Sequence, residues 1–200
     1  KKYERVISRS GYTADQVAYM ILRNAGITDV SIHHIPGDLT DNYNPREHTL
    51  NLSDKVYGSR SIAAIGVAAH ECGHAIQHAR HYVPLTVRSA IIPAANIGSS
   101  LAWPLVLIGL IIPRLNFCMT IGILLFSLVV ILQLVTLPVE FNASRRAIQI
   151  IRDSGYLAPD ELKGAKSVLK AAAMTYVAAM VSVSLQLLRL VILRNSRDDN

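Results

Sequence analysis

Residues 70–74 read His-Glu-Cys-Gly-His, two imidazoles four positions apart with a carboxylate beside the first. The flanks, Ser61 to Ala69 on one side and Ala75-Ile76-Gln77-His78 on the other, are rich in Ala, Ile and Val and contain no Pro. That composition predicts a helix over about 61–79. Helical positions four apart share a face, about 6 Å apart along the axis. His70 and His74 can therefore reach one zinc ion at about 2.0–2.1 Å. Glu71 stands next to them, where a carboxylate can take a proton from water that the metal acidifies, the arrangement used by zinc proteases. The competing reading is a buried helix whose histidines are merely hydrogen-bonded. Against it, two His and a Glu are costly in so apolar a helix unless something pairs with them.

The composition says where such a helix resides. Of 200 residues, 51% are hydrophobic and 17% charged, and mean hydropathy is positive, which points to a membrane protein. The formal charge is +6, without the dense basic run that nucleic-acid binding favours, so no nucleic-acid partner is expected. The excess reads as charge flanking membrane spans. Cys72 and Cys118 form no disulfide framework, and Cys72, two residues from His70, points away from the metal face. Reduced thiols fit a cytoplasm-facing site. The chain begins at Lys1 rather than Met, so it is expected to be a fragment or a processed form.

The elements that must position the motif follow in order. A basic leading segment runs from Lys1 to Gly11. Thr13-Ala14-Asp15-Gln16 resembles a capping box and opens a helix over about 13–25, stopped by Gly26. Val30 to Ile35 reads as a strand ended by Pro36-Gly37, and Asp38 to Arg46 as loop. Thr49 to Ser53 alternates polar and apolar and reads as a second strand. An edge strand there would hold an extended peptide by backbone hydrogen bonds; an ordinary small sheet packed on the helix fits the pattern equally. Residues 89–113 and 115–139 are uncharged and separated only by Arg114. Each run makes a helix of about 37 Å, enough to cross a hydrocarbon core of about 30 Å. They form a hairpin that returns residue 140 to the side it left. A polar helix over about 140–154 ends at Gly155, and a helix opened by Pro159 and Asp160-Glu161 enters a third apolar run, 171–193.

The basic residues set the orientation. Arg80, Arg88, Arg145, Arg146, Arg152, Lys163, Lys166 and Lys170 flank the zinc side; Arg114, Arg194 and Arg197 flank the other, with Arg189 just inside. The bias places the site in the cytoplasm of a multi-pass cell-membrane protein.

A third ligand is then sought. The extended motif with a third His on the same helix would need Gly at 77 and His at 80, where the sequence has Gln77 and Arg80. His78 shares the helix face but lies about 12 Å along the axis from His70, which suits a structural role or one that orients a ligand. Glu140, just after Pro138, is the one acidic residue between Glu71 and Asp153. The hairpin carries it back to the zinc side, and an ionisable group at a membrane boundary is a functional candidate. Ser144, one turn further, can hydrogen-bond a ligating imidazole. Arg145 or Arg146 can hold Glu140, stabilise an oxyanion, or simply anchor the helix at the interface. Glu47 and Glu161 are weaker ligand candidates, and Tyr156 and Tyr176 are further candidates for the oxyanion.

Three segments carry a resemblance: Val67 to Gln77, Ala94-Ala95-Asn96-Ile97-Gly98-Ser99-Ser100, and Leu137-Pro138-Val139-Glu140-Phe141-Asn142-Ala143-Ser144-Arg145-Arg146-Ala147. Together the chain resembles the YugP family of bacterial membrane zinc metallopeptidases over nearly its whole length. The resemblance implies an integral-membrane protease with a further transmembrane helix before Lys1. The HtpX and CAAX-prenyl-protease type is more distantly similar, with a Glu ligand after its spans; Ser144 stands where that type has Asp.

The expectation is a mainly α-helical, polytopic membrane protein. A small α/β zincin-like element carrying the His-Glu-x-x-His helix occupies 1–88, and the hairpin, ligand helix and third span occupy 89–200. One zinc ion is expected on His70, His74 and Glu140, with Glu71 as general base and Ser144 and Arg145 as supporting residues. The partners are a protein or peptide substrate and the lipid bilayer; nothing specifies an oligomeric state. The alternatives are a zinc-stabilised membrane scaffold without activity and a site-2-type intramembrane protease. The latter takes an Asp ligand from a span, and no apolar run here contains Asp.

Overall fold

The computed structural model describes residues 3–198. Lys1 of the leading segment and the side chain of Arg197 lie outside the described residues. Helix α1 (Ala14–Asn24) opens with a complete capping box, Thr13 and Gln16 each accepting from the other's backbone N–H. It closes as a Schellman turn: Gly26 at φ +75 donates to the Arg23 carbonyl and Ile27 to that of Leu22. Ala14, Val17, Ala18, Ile21 and Leu22 form its buried stripe, which packs on the helix that carries His70 and His74.

Three strands follow, β1 (Ser31–His34), β2 (Asn42–Asn44) and β3 (Thr49–Leu52), in the order β1-β3-β2. β1 runs parallel to β3, with Ser31 opposite Thr49; β2 runs antiparallel, with Asn42 opposite Asn51. The alternation in β3 is real, since Leu50 and Leu52 are fully buried while Thr49 and Asn51 are half-exposed. Of the two readings of this strand, the edge strand is not the one found. β3 is central, and the edge beside it is β2, which lies within the stretch expected to be loop. Asn-Tyr-Asn carries little intrinsic strand preference, so β2 exists because β3 pairs with it.

Helix α2 (Ile62–Ala79) starts at Ser61, whose Oγ accepts from the Ala64 N–H at 3.1 Å. It is buried nearly all round, and its small side chains are the reason. Gly73 shows this most clearly: a Cβ there would lie 2.7 Å from the Ala143 carbonyl oxygen.

Helix α3 (Val83–Ile111) is followed by a short 3-10 turn (Pro113–Leu115) and helix α4 (Asn116–Ser154), which runs without interruption through Pro138. Gly155, at φ +66, ends it, and α5 (Pro159–Asp198) follows. The segments Val83–Ile111, Pro113–Ser154 and Pro159–Ser196 are each long and apolar enough to cross a membrane.

The chain divides into two compact units, Lys1–Tyr82 with Val139–Met174 and Val83–Pro138 with Thr175–Asn200. The first holds α1, the sheet, α2, the polar end of α4 and the start of α5 around one core that includes Ile21, Leu50, Leu52, Ile65, Ile151 and Leu169. The second packs Ala102, Val106, Met119, Ile123, Phe126 and Leu190. There a Cβ on Gly122 would lie 2.7 Å from the Ala102 carbonyl, so α3 and α4 meet backbone to backbone, as membrane helices do through small residues. Leu107, Ile111, Phe117, Leu124 and Leu185 are exposed in this unit, a surface suited to lipid.

Candidate metal centre

The site lies within the first unit and is built by α2 and α4. The four-residue spacing on α2 sets His70 and His74 edge to face, ring centroids 4.7 Å apart. α4 presents Glu140 to the same point, and Gly73 permits it, because α4 can come this close only where α2 has no side chain. The ligand atoms of His70, His74 and Glu140 all lie within 4.8 Å of one another. The two Nε2 atoms are 3.2 Å apart, and Glu140 Oε2 is 3.2 Å from His70 Nε2 and 3.5 Å from His74 Nε2. Glu140 is 2% exposed.

These separations fit zinc. Two ligands about 2.0–2.1 Å from a tetrahedral ion are about 3.3 Å apart. The chemistry fits as well, since three lone-pair atoms facing one another in a buried place require a cation or a shared proton between them. Burial opposes charge on His74, but hydrogen bonding to Glu140 and the charges of Glu71 and Glu140 outweigh it and hold its pKa above the ordinary value.

Glu71 is buried, and its side chain makes no hydrogen bond among the described residues. Ser144 Oγ lies 3.1 Å from His70 Nδ1. Arg145 is exposed; it is Arg146 whose Nε donates to Asn142 Oδ1 at 2.7 Å. His78 is outside the cluster, its Nδ1 2.9 Å from the Tyr43 hydroxyl on β2. Glu47 is exposed on the loop after β2. Glu161 is buried, but as the cap of α5, accepting from the backbone N–H groups of Arg9 and Ala158 and from Ser8 Oγ. The Tyr156 hydroxyl accepts from Asn24 on α1, and Tyr176 belongs to the other unit. Burial pushes the Cys72 thiol up, so it stays neutral at the back of the helix.

One participant escaped sequence reasoning. Gln77 is fully buried and bridges His74 Nδ1 (3.0 Å) to the Val139 carbonyl (2.8 Å) and Asn142 Oδ1 (3.0 Å). Its signal was available: a primary amide one turn after His74 in a run of Ala, Ile and Cys needs partners.

A family model described as "Putative neutral zinc metallopeptidase" matches residues 1–195. The chain belongs to this zinc metallopeptidase family. It is also 46% identical over 201 residues to "Putative membrane protease YugP" of Bacillus subtilis (strain 168), a match covering 100% of this chain and 89% of that protein. No solved structure matches the chain. Family membership carries with it zinc and a peptide substrate, and the three apolar helices agree with the relative's description as a membrane protease.

Proposed function

We propose that this family member is a multi-pass membrane endopeptidase working with one zinc ion held by His70, His74 and Glu140. The observation that carries the reading is the spacing of those three ligand atoms, 3.2 to 3.5 Å, beside the buried carboxylate of Glu71, which makes no hydrogen bond among the described residues. Zinc bound there supplies Lewis acidity, lowering the pKa of water and polarising the scissile carbonyl. Glu71 is the general base. It follows His70 directly, is largely shielded from solvent, and has its oxygens free to take the proton of the attacking water and pass it to the leaving amine. Ser144 holds the far nitrogen of His70. The open edge of β2 offers backbone groups to an extended peptide, and its Tyr43 is tied to α2 through His78.

The catalytic part, about 1–88 with the ligand-bearing helix, faces the cytoplasm in this reading, supported by the excess of Lys and Arg at that end of the spans. The scaffold alternative has no use for Glu71, since a purely structural zinc site needs no base.

The test uses the full chain in detergent or nanodiscs with a casein-like or unfolded membrane substrate. Glu71→Gln should keep its zinc and lose about 10²–10⁴-fold in cleavage. Glu140→Ala should lose most of the bound zinc. Unchanged metal stoichiometry in Glu140→Ala would move the third ligand elsewhere, and no cleavage by the wild type would favour the scaffold.

A further inference from the structure

The amide of Gln77 has only one orientation open to it. Arg146 Nε–H can only donate, and it meets Asn142 at 2.7 Å, so the atom there is the Asn oxygen. The Val139 carbonyl can only accept. Gln77 presents the same atom to both acceptors, at 3.0 and 2.8 Å, so that atom is its NH₂ group. Its oxygen therefore faces His74 Nδ1 at 3.0 Å. An oxygen can only accept, so Nδ1 must carry a proton, and the lone pair of the neutral ring falls on Nε2. That is the atom 3.2 Å from His70 Nε2 and 3.5 Å from Glu140 Oε2.

The other imidazole has no such constraint. Ser144 Oγ, 3.1 Å from His70 Nδ1, can donate or accept by rotating its hydroxyl. The two histidines are thus held unequally, one by an amide locked at both ends and one by a free rotor. The lock also fastens the carbonyl of Val139, the residue before Glu140, so one side chain touches the surroundings of two members of the cluster.

We infer that Gln77 is a positioning residue of the metal centre, fixing His74 as the Nδ1–H tautomer with Nε2 turned to the metal. It acts through His74 and touches neither substrate nor metal. The inference rests on the zinc reading above for its functional meaning, but the protonation it assigns does not depend on metal. Partners of this kind on a metal-ligating His are worth about 10–100-fold in metal affinity.

Two substitutions separate tautomer control from mere fastening of the two helices. Gln77→Met keeps the volume and loses every hydrogen bond; zinc affinity, measured by chelator competition on the full chain, should fall about 10–100-fold. Gln77→Glu keeps an acceptor for Nδ1–H and loses both donors to α4; it should melt lower yet bind zinc within a few-fold of wild type. A Glu variant that binds zinc no better than the Met variant overturns the inference, because fastening alone then explains both. Ser144→Ala should cost less affinity than Gln77→Met. A second measurement stands apart from folding of the variants: ¹⁵N-histidine spectra of the wild type, without metal and with cadmium, should show His74 Nδ1 protonated in both. A bare Nδ1 overturns the inference whatever the zinc result. Wild type that binds no zinc but shows a protonated Nδ1 would defeat the metal reading and leave the tautomer assignment standing.

Discussion

Gly73→Ala tests the packing that makes the centre. A Cβ at residue 73 would lie 2.7 Å from the Ala143 carbonyl oxygen, 3.1 Å from its Cα and 3.2 Å from its carbonyl carbon. Carbon atoms in contact prefer about 3.5–4.0 Å, and all three obstacles are backbone, so no rotamer change clears them. α4 must withdraw locally by about 0.5 Å, against an overpacking cost of about 1–3 kcal/mol. The helical preference of Ala over Gly returns about 0.5–1 kcal/mol, leaving a net loss of up to about 2.5 kcal/mol. The metal site should be hit harder. Gly73 adjoins His74, and Ala143 lies one turn past Glu140, so the withdrawal opens the 3.2–3.5 Å separations beyond the ±0.2 Å or so that a zinc site tolerates. Zinc affinity should drop at least about tenfold. Gly66→Ala is the control in the same helix: its Cβ would meet the Ala165 Cβ at 3.5 Å, an ordinary contact. That change should leave zinc binding alone and be neutral or stabilising by up to about 1 kcal/mol. Calorimetry of the metal-free proteins and chelator competition give both numbers. If Gly73→Ala binds zinc like the wild type and melts no lower, α2 and α4 do not meet as described.

Further outcomes follow from the same geometry. His74 holds a proton more tightly folded than unfolded, so its contribution to the metal-free protein is full below its ordinary value of 6.5 and is lost as pH rises through the raised folded value. Zinc needs a bare Nε2 and runs the other way: the gain in Tm on adding zinc should be larger at about pH 8 than at about pH 6. A gain that shrinks with rising pH would contradict this. Glu161→Ala leaves two backbone donors and one hydroxyl without their acceptor and should cost about 1–3 kcal/mol by thermal unfolding. As Glu161 caps a helix, zinc content should not change; loss of metal would return it to the ligand set.

The local rules were readable where the chain obeys them locally. The capping box at Thr13, the Gly26 stop, the alternation in Thr49–Leu52 and the glycine after Ser154 need only neighbouring residues, and each appears as expected. The hairpin logic pointed Glu140 toward the histidines, since it follows from span length and charge. What stayed hidden depends on partners distant in sequence. β2 is a strand because β3 offers it hydrogen bonds, and the same pairing decides between the two readings of β3 by making it central rather than an edge. The apolar run 115–139 and the polar helix expected over about 140–154 are one continuous helix, as α4 passes through Pro138, a tolerance common where neighbouring helices cover the freed carbonyl. That Arg146 meets Asn142 depends on the phase of α4 against Asn142 and Gln77, which only the packed helices define.

The position of Glu140 carries a further argument about how this unit holds together. Val139, Ala143 and Ala147 around it are fully buried, so the carboxylate sits in surroundings that penalise charge severely unless it is paired or coordinated. Its neighbours at 3.2 and 3.5 Å are two imidazoles, which can neutralise it only by taking up a proton. In the zinc reading, protons shared among the three groups and a metal in their place are alternative ways of holding this cluster. Folding raises the proton affinity of His74, so a metal taking its place on Nε2 competes there with a proton. The free energy of metal binding then also stabilises the contact of α2 with α4. Stripping the metal would loosen the first unit around Gly73 and Ala143 before it disturbs α1 or the sheet, which are joined to α2 by apolar packing and by the Cys72–Ala18 and Tyr43–His78 hydrogen bonds, none of which involves the metal.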